Sequence, residues 1–267
     1  MSWIDLEGAA NVRDVGGLPT VDGRTTRTRV LLRADNLQGL TPADVERLTG
    51  ELGVRTVLDL RTTGELHLEG PAPLQATDVV HHHVPLIPEE EGEPDEDEVE
   101  DALQRAVPAR PDRAGADRND MTGYYVGYVD DAPKNLARAL RLLAAAETGP
   151  AVVHCAAGKD RTGVVVALAL SLAGVTREAV VADYVRSAER IDGILDRLRA
   201  SATYGPHLAD VGPADVAPVA GSMERFLDHV DREYGGPHGL AMTIGVDEET
   251  VARLAARLVG TSPLARP

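Results

Sequence analysis

Cys155, the single cysteine of this chain, stands six positions before Arg161 in the run His154-Cys155-Ala156-Ala157-Gly158-Lys159-Asp160-Arg161-Thr162-Gly163. These residue types at this spacing suit phosphoryl transfer. The thiolate is the nucleophilic form of cysteine, and a helix N-terminus or a nearby cation favours it. An arginine offers a planar fork that binds two phosphate oxygens at once. Glycine lets a backbone bend close to a ligand without a Cβ in the way. The arrangement suits in-line attack of sulfur on phosphorus, giving a cysteinyl-phosphate that water then hydrolyses. In that scheme Cys155 is the nucleophile, Arg161 clamps the phosphate, and Thr162 stabilises the departing thiolate. The N–H groups of Ala156, Ala157, Gly158, Lys159, Asp160 and Arg161 form the oxyanion cradle. His154 holds the loop and tunes the sulfur, and Lys159 extends the cationic reach.

Such a loop needs a strand before it and a helix after it. A chain entering a helix gathers several N–H groups around one concavity, which suits a tetrahedral oxyanion. The apolar residues 151–153 read as a buried strand, 155–161 as a tight loop and 164–173 as a helix. A purely structural cysteine has no need of the arginine. A nucleotide P-loop is excluded, because Asp160 stands where Ser or Thr must hold magnesium and the opening glycine is missing.

His154-Cys155, five residues, Arg161 and Thr162 together resemble the signature loop of the cysteine-dependent protein tyrosine phosphatase superfamily. Extended through Gly163, the run resembles a narrower bacterial group of tyrosine and dual-specificity enzymes, the mycobacterial tyrosine phosphatase B type. Asn11-Val12-Arg13-Asp14 resembles that group's Asn-Phe-Arg-Asp entry, with Val12 in place of the aromatic. Asp59-Leu60-Arg61 and Asp183-Tyr184-Val185-Arg186-Ser187 resemble further segments of it. The resemblance implies a three-layer α/β/α fold with a mainly parallel central sheet. It also implies activity on phosphotyrosine, with phosphoserine, phosphothreonine and phosphoinositides as further substrates, and a helical lid over the site. A rhodanese-type sulfur carrier also seats a cysteine in an anion loop, but the Arg161-Thr162-Gly163 exit suits a phosphatase better.

At 267 residues the chain can bury a full core, and one domain over 1–267 is the simplest reading. Aromatic residues make up only 3%, so the core must be mainly Leu, Val and Ala. The net charge of −16 argues against nucleic acid and against stable membrane association. It leaves a phosphorylated protein or a small phosphate ester as partner, because the local field of the loop decides binding there. Lys134 and Lys159 are the only lysines among 27 basic residues, so the loop lysine is not simply the habitual cation of this chain. One cysteine forbids an internal disulfide and suits a reducing compartment, with cytoplasm as the default. The resembled group includes an enzyme exported without a typical signal peptide. No cofactor or metal is expected. Nothing in the sequence speaks to oligomeric state.

Elsewhere, Asn11 to Gly17 reads as turn chemistry supporting the site, with Arg13 and Asp14 pairing locally. A helix starts at Thr41-Pro42, with Thr41 as N-cap. Residues 30–33 and 54–60 read as strands, the second delivering Asp59 and Arg61 to the strand end where α/β sheets gather ligand sites. Asp59 is then either a site residue or a support paired with Arg61 or the backbone. His81-His82-His83 lie on a polar strand edge, since neighbours on a strand face opposite ways and no further ligand set is evident. Residues 88–101 carry ten carboxylates in fourteen positions, so 88–118 reads as a flexible acidic/basic insertion. Tyr124, Tyr125 and Tyr128 suit a helix beside the loop. Residues 176–190 form another helix and 191–219 are the lid candidate, with 191–198 amphipathic. Helices built on Met223, Phe226 and Val230 and on Val251, Leu254 and Leu258 complete the chain.

The general acid is the open point. No Trp-Pro-Asp loop is present, because Trp3 is the only tryptophan. Asp160, inside the loop, is the preferred acid and Asp59 the alternative. A phosphate-binding module without turnover is the competing function.

Overall fold

The computed structural model describes residues 2–89, 120–145 and 149–259. Six strands among them form one sheet in the order β1-β2-β3-β6-β4-β5. They are β1 Ser2–Trp3, β2 Arg13–Asp14, β3 Leu31–Ala34, β4 Thr56–Asp59, β5 Val80–His83 and β6 Ala151–His154. The β1–β2 and β2–β3 pairs are antiparallel. The β3–β6, β4–β6 and β4–β5 pairs are parallel, so β6 lies inside the sheet with a parallel strand on each side. The expected mainly parallel sheet is present, with an antiparallel edge.

Strand alternation sorts the sheet's side chains into two cores. Leu31, Leu58, Ala151 and Val153 face the larger one, with Tyr125, Leu136, Val166, Phe226 and Leu254. Leu32, Ala34, Val57 and Val152 face the smaller one, with Val12, Leu37, Leu48 and Leu74. The helices are α1 Pro42–Glu46, prolonged by a π-helical stretch Arg47–Glu51, then α2 Thr63–Glu69, α3 Thr122–Asp130, α4 Pro133–Ala145 and α5 Asp160–Leu172. They continue with α6 Arg177–Val185, prolonged by the 3-10 helix Arg186–Arg190, and α7 Ile191–Ala200. The last are α8 Ala220–Tyr234, α9 Pro237–Thr243 and α10 Glu248–Val259. Every residue of α5 from Arg161 to Leu170 is buried. That explains its unbroken apolar sequence: a helix packed on all sides has no polar face to show.

Several boundaries differ from the sequence reading. The strand expected at 30–33 lies one residue later. Helix α5 begins at Asp160 and ends at Leu172, so Asp160 and Arg161 belong to its first turn rather than to the loop. Arg13 and Asp14 do not pair. Neighbours on β2 point to opposite faces, and the Asp14 carboxylate instead accepts from Gly16 N and Arg29 N. Helix α9 was not foreseen. It starts at Pro237, directly after Gly235 and Gly236, both at positive φ, and at seven residues it is too short for a clear period. The Pro- and Gly-rich region 204–219, within the lid candidate, contains the helical turns Gly205–His207 and Pro213–Val216. The 88–118 insertion falls outside the described residues except for Pro88 and Glu89, and the tail beyond 259 also lies outside them.

Candidate active site

Strand β6 ends at His154 and α5 begins at Asp160, so the intervening turn carries Cys155, which is 2% exposed. Gly158 has φ 63°, and a Cβ there would fall 2.3 Å from Ala34 O. No other residue fits that close approach of two backbones.

The turn is held from behind by its carbonyls. Ala156 O accepts from Asn36 N at 2.9 Å. Asn11 Nδ2 donates to Ala157 O at 2.9 Å and to Gly158 O at 3.2 Å. Arg33 Nη2 donates to Gly158 O at 2.7 Å. With these carbonyls engaged by the scaffold, the turn's amides are the groups left to meet an anion. The holders are themselves braced by Asp183 of α6, which takes Arg33 Nη1 at 2.6 Å and Arg13 Nε at 2.9 Å. Arg13 Nη1 also donates to Asn11 Oδ1 at 2.6 Å. Asn11, Arg13, Arg33 and Asp183 are all buried. Burial pushes the Asp183 carboxyl up, but Arg13 and Arg33 outweigh it and hold it below the usual range. Burial and the neighbouring Arg33 lower Arg13 to about 10.

The front of the site is built on Arg161. Its Nη1 and Nη2 donate to Glu65 Oε2 and Oε1 at 2.5 and 2.9 Å, a two-pronged pair. Glu65 is fully buried, and Arg161 outweighs the upward push of burial to hold it below its usual range. Glu65 is positioned by a capping box: Thr62 N donates to Glu65 Oε2 at 2.7 Å, and Thr62 Oγ1 accepts from Glu65 N at 3.2 Å. Tyr204 OH also bonds Glu65 and lies 3.4 Å from Arg161 Nη2. Burial, then Glu65, raises this phenol well above its usual value, so it stays a donor. Both terminal nitrogens bond Glu65, and longer contacts of 3.4 Å run from Nη1 to Leu60 O and from Nη2 to Tyr204 OH. Together they fix the guanidinium's plane, and an arriving anion would take the Nε–H or displace the two longer contacts. Thr162 Oγ1 is buried with no hydrogen-bond partner among the described residues.

Asp59 and His154 are register partners across β4 and β6, with His154 Nε2 3.4 Å from Asp59 Oδ2. Arg61 folds back on Asp59, Nη2 to Oδ2 at 2.6 Å and Nε to Oδ1 at 2.9 Å. Burial pushes Asp59 up, and His154 and Arg61 outweigh it to hold the carboxyl well below its usual range. Asp160, on the first turn of α5, accepts from Tyr125 OH through Oδ1 at 2.6 Å, and its Oδ2 lies 3.5 Å from Lys159 Nζ. Lys159 Nζ donates to Val216 O at 2.5 Å. Leu195, Tyr204 and Leu208, all in the lid candidate, pack on Ala156 of the turn. His83 Nε2 bonds Arg61 O rather than a neighbouring histidine.

All six proposed catalytic residues and the cradle thus gather at the carboxyl ends of β4 and β6. Glu65, Tyr204, Arg33 and Asp183 as the brace of Arg13 and Arg33 were not picked out from sequence; Tyr125 was expected on a helix beside the loop, but its bond to Asp160 was not. Thr62-x-x-Glu65 is a legible helix start, but its second task on Arg161 is not.

Acid should loosen this framework. Asp183, Asp59 and Glu65 all have folded-state values below their ordinary 3.8 and 4.5. The unfolded chain therefore binds more protons, and stability rises with pH. Their contribution is complete above the ordinary carboxylate values and is lost as pH falls through the lower folded values. Thermal melts from pH 7 downward should show a flat Tm to roughly pH 5 and a progressive drop below it. A Tm that holds or rises below that point would contradict the ion-pair assignment.

The tyrosine phosphatase family model matches residues 4–260. The chain is 29% identical to the triple specificity protein phosphatase PtpB of Mycobacterium tuberculosis, over 97% of this chain and 100% of that protein. It is 30% identical to a tyrosine-protein phosphatase of Nostoc commune, over 85% of this chain and 73% of that one. A putative tyrosine-protein phosphatase of Cupriavidus necator is 31% identical over 82% of this chain and 74% of its own length. The match runs from just after β1 to the end of α10 and takes in the cysteine turn, its bracing residues and Arg161, so this chain belongs to the tyrosine phosphatase family.

Proposed function

We propose that this chain hydrolyses phosphotyrosine in proteins through a cysteinyl-phosphate on Cys155, with phosphoserine and phosphothreonine as further substrates. One observation carries the reading. A cysteine sits in a turn whose carbonyls are engaged from behind, and a carboxylate sets the plane of the arginine six residues on. Cys155 Sγ attacks phosphorus, Arg161 and the turn's amides take the equatorial oxygens, and the Thr162 hydroxyl supports the thiolate as it leaves in the second step. Asp160 protonates the leaving oxygen. Its Oδ1 is engaged by Tyr125, and Oδ2 lies only 3.5 Å from a lysine ammonium. Asp59, held on two sides by Arg61 and His154, orients the histidine at the strand end instead.

Residues 191–219 are the lid in this proposal. Cys155 and Arg161 are 2% and 4% exposed beneath it, so a substrate enters only when the segment moves. A net charge of −16 ranks phosphoprotein above phosphoinositide. Among the described residues no helix is long and apolar enough to cross a membrane, and the proposal places the enzyme in the cytoplasm, where a lone thiol stays reduced.

The assignment of the acid is tested with Asp160→Asn and Asp59→Asn on phosphotyrosine and phosphoserine peptides across pH. General acid catalysis contributes on the order of 10²–10⁴-fold. Asp160→Asn should lose most of that on phosphoserine, less on phosphotyrosine, together with the limb of the pH–rate profile that reports the acid. Retention of rate and limb in Asp160→Asn, beside loss of both in Asp59→Asn, would transfer the role to Asp59.

A further inference from the structure

The tyrosine that touches Asp160 does not stand alone. Tyr125 OH donates to Asp160 Oδ1 at 2.6 Å and also lies 2.6 Å from Tyr184 OH. Each phenol has one proton to give. The Tyr125 proton goes to the carboxylate, so Tyr184 must be the donor in the second bond, and the chain runs Tyr184 to Tyr125 to Asp160. The two rings come from α3 and α6 and meet edge to face, with centroids 6.0 Å apart. Tyr184 also packs against the start of α5, since a Cβ on Gly163 would come within 3.1 Å of its ring. Both rings are almost completely buried, at 0% and 1% exposed. Burial, and next the nearby Asp160, raise both phenols above their ordinary value, so they remain protonated donors through the working pH range.

We propose that Tyr125, oriented by Tyr184, is a positioning residue for the general acid: it occupies Asp160 Oδ1 and so assigns the transferable proton to Oδ2. The inference rests on Asp160 being the acid. A hydrogen bond to a carboxylate is stronger than one to the neutral acid. The Tyr125 bond therefore gains strength while the proton leaves for the substrate oxygen, which is the differential stabilisation that lowers a barrier. In the first step the S–P bond forms and the P–O bond breaks. The proton passes from Oδ2 to the departing oxygen, and the negative charge left on Asp160 is taken up by the Tyr125 hydroxyl. Two hydroxyls buried in a core made mainly of Leu, Val and Ala then have a use beyond packing.

The test is a leaving-group series, p-nitrophenyl phosphate, phenyl phosphate and a phosphoserine peptide, run on Tyr125→Phe, Tyr184→Phe, Asp160→Asn and Tyr125→Phe/Asp160→Asn. A good leaving group needs little protonation, so loss of the acid or of its positioning should grow along the series. Tyr125→Phe is expected to be close to wild type on p-nitrophenyl phosphate and about tenfold slower on the phosphoserine peptide, a fraction of the general-acid factor. Tyr184→Phe should show the same trend more weakly. The double variant should be no slower than Asp160→Asn, because residues acting through one group are not additive. Inhibition by inorganic phosphate reports the turn itself and should be unchanged in Tyr125→Phe. Equal losses across the series, a further drop in the double variant, or weakened phosphate inhibition would each overturn the proposal, the last by making Tyr125 a support of the turn. A flat series in Asp160→Asn would instead remove Asp160 as the acid, and the two failures are thereby told apart.

Discussion

Cys155→Ser is expected to lower turnover of p-nitrophenyl phosphate and phosphotyrosine peptides by on the order of 10⁴-fold or more, the scale seen when a nucleophile is removed from a preorganised site. The fold should not change, because oxygen for sulfur is a small change at a position that is 2% exposed. Phosphate binding should also survive, since the fork of Arg161 is oriented by Glu65 and the turn by Asn11 and Arg33, none of which depends on the sulfur. The signature is therefore lost kcat with retained inhibition by inorganic phosphate. Acid-quenching the wild-type enzyme during turnover should leave phosphate on Cys155. Turnover persisting in Cys155→Ser, with no label at position 155 in the wild type, would remove the covalent mechanism. That result would leave family membership untouched.

The second large effect concerns stability. Asp183→Ala should destabilise the chain by about 3–5 kcal/mol, the usual cost of removing one partner from a buried ion pair. Asp183 is 1% exposed and pairs with two guanidiniums, Arg13 at 0% and Arg33 at 1%. Without it, two buried cations face each other, and burial and Arg33 already lower Arg13. The turn should suffer with the fold, because Arg33 and Asn11, both linked to this cluster, hold the carbonyls of Ala157 and Gly158. Asp183→Asn keeps the shape and removes the charge, so its loss should fall between that of alanine and the wild type. Urea unfolding reads both. A loss below about 1 kcal/mol for Asp183→Ala, the level of an exposed pair, would show that the arginines find other partners.

Much of the chemistry was legible in the sequence because it is local. Cys155, Gly158, Arg161 and Thr162 lie within eight positions, and a strand–turn–helix context brings such neighbours together whatever surrounds them. The start of α1 at Thr41-Pro42 was legible for the same reason, since a capping side chain reaches only its own first turn. The short apolar run of β6 and the apolar length of α5 located the core. Arg13 shows where this stopped. Its neighbour Asp14 was the obvious partner by sequence, yet the pleat of β2 turns them to opposite faces and gives Arg13 to Asp183, 170 positions away.

Tertiary structure alone decided what surrounds the reacting groups. Glu65 meets Arg161 across 96 positions, and Tyr125 meets Asp160 and Tyr184 from a separate helix. No periodicity encodes such pairings, because they arise where different elements end at the same edge of the sheet. The identity of the proposed reacting atoms was thus written in one short run of residues. Their orientation, burial and charge balance came from long-range contacts, since an interior ion is tolerable only where the whole fold supplies its partner.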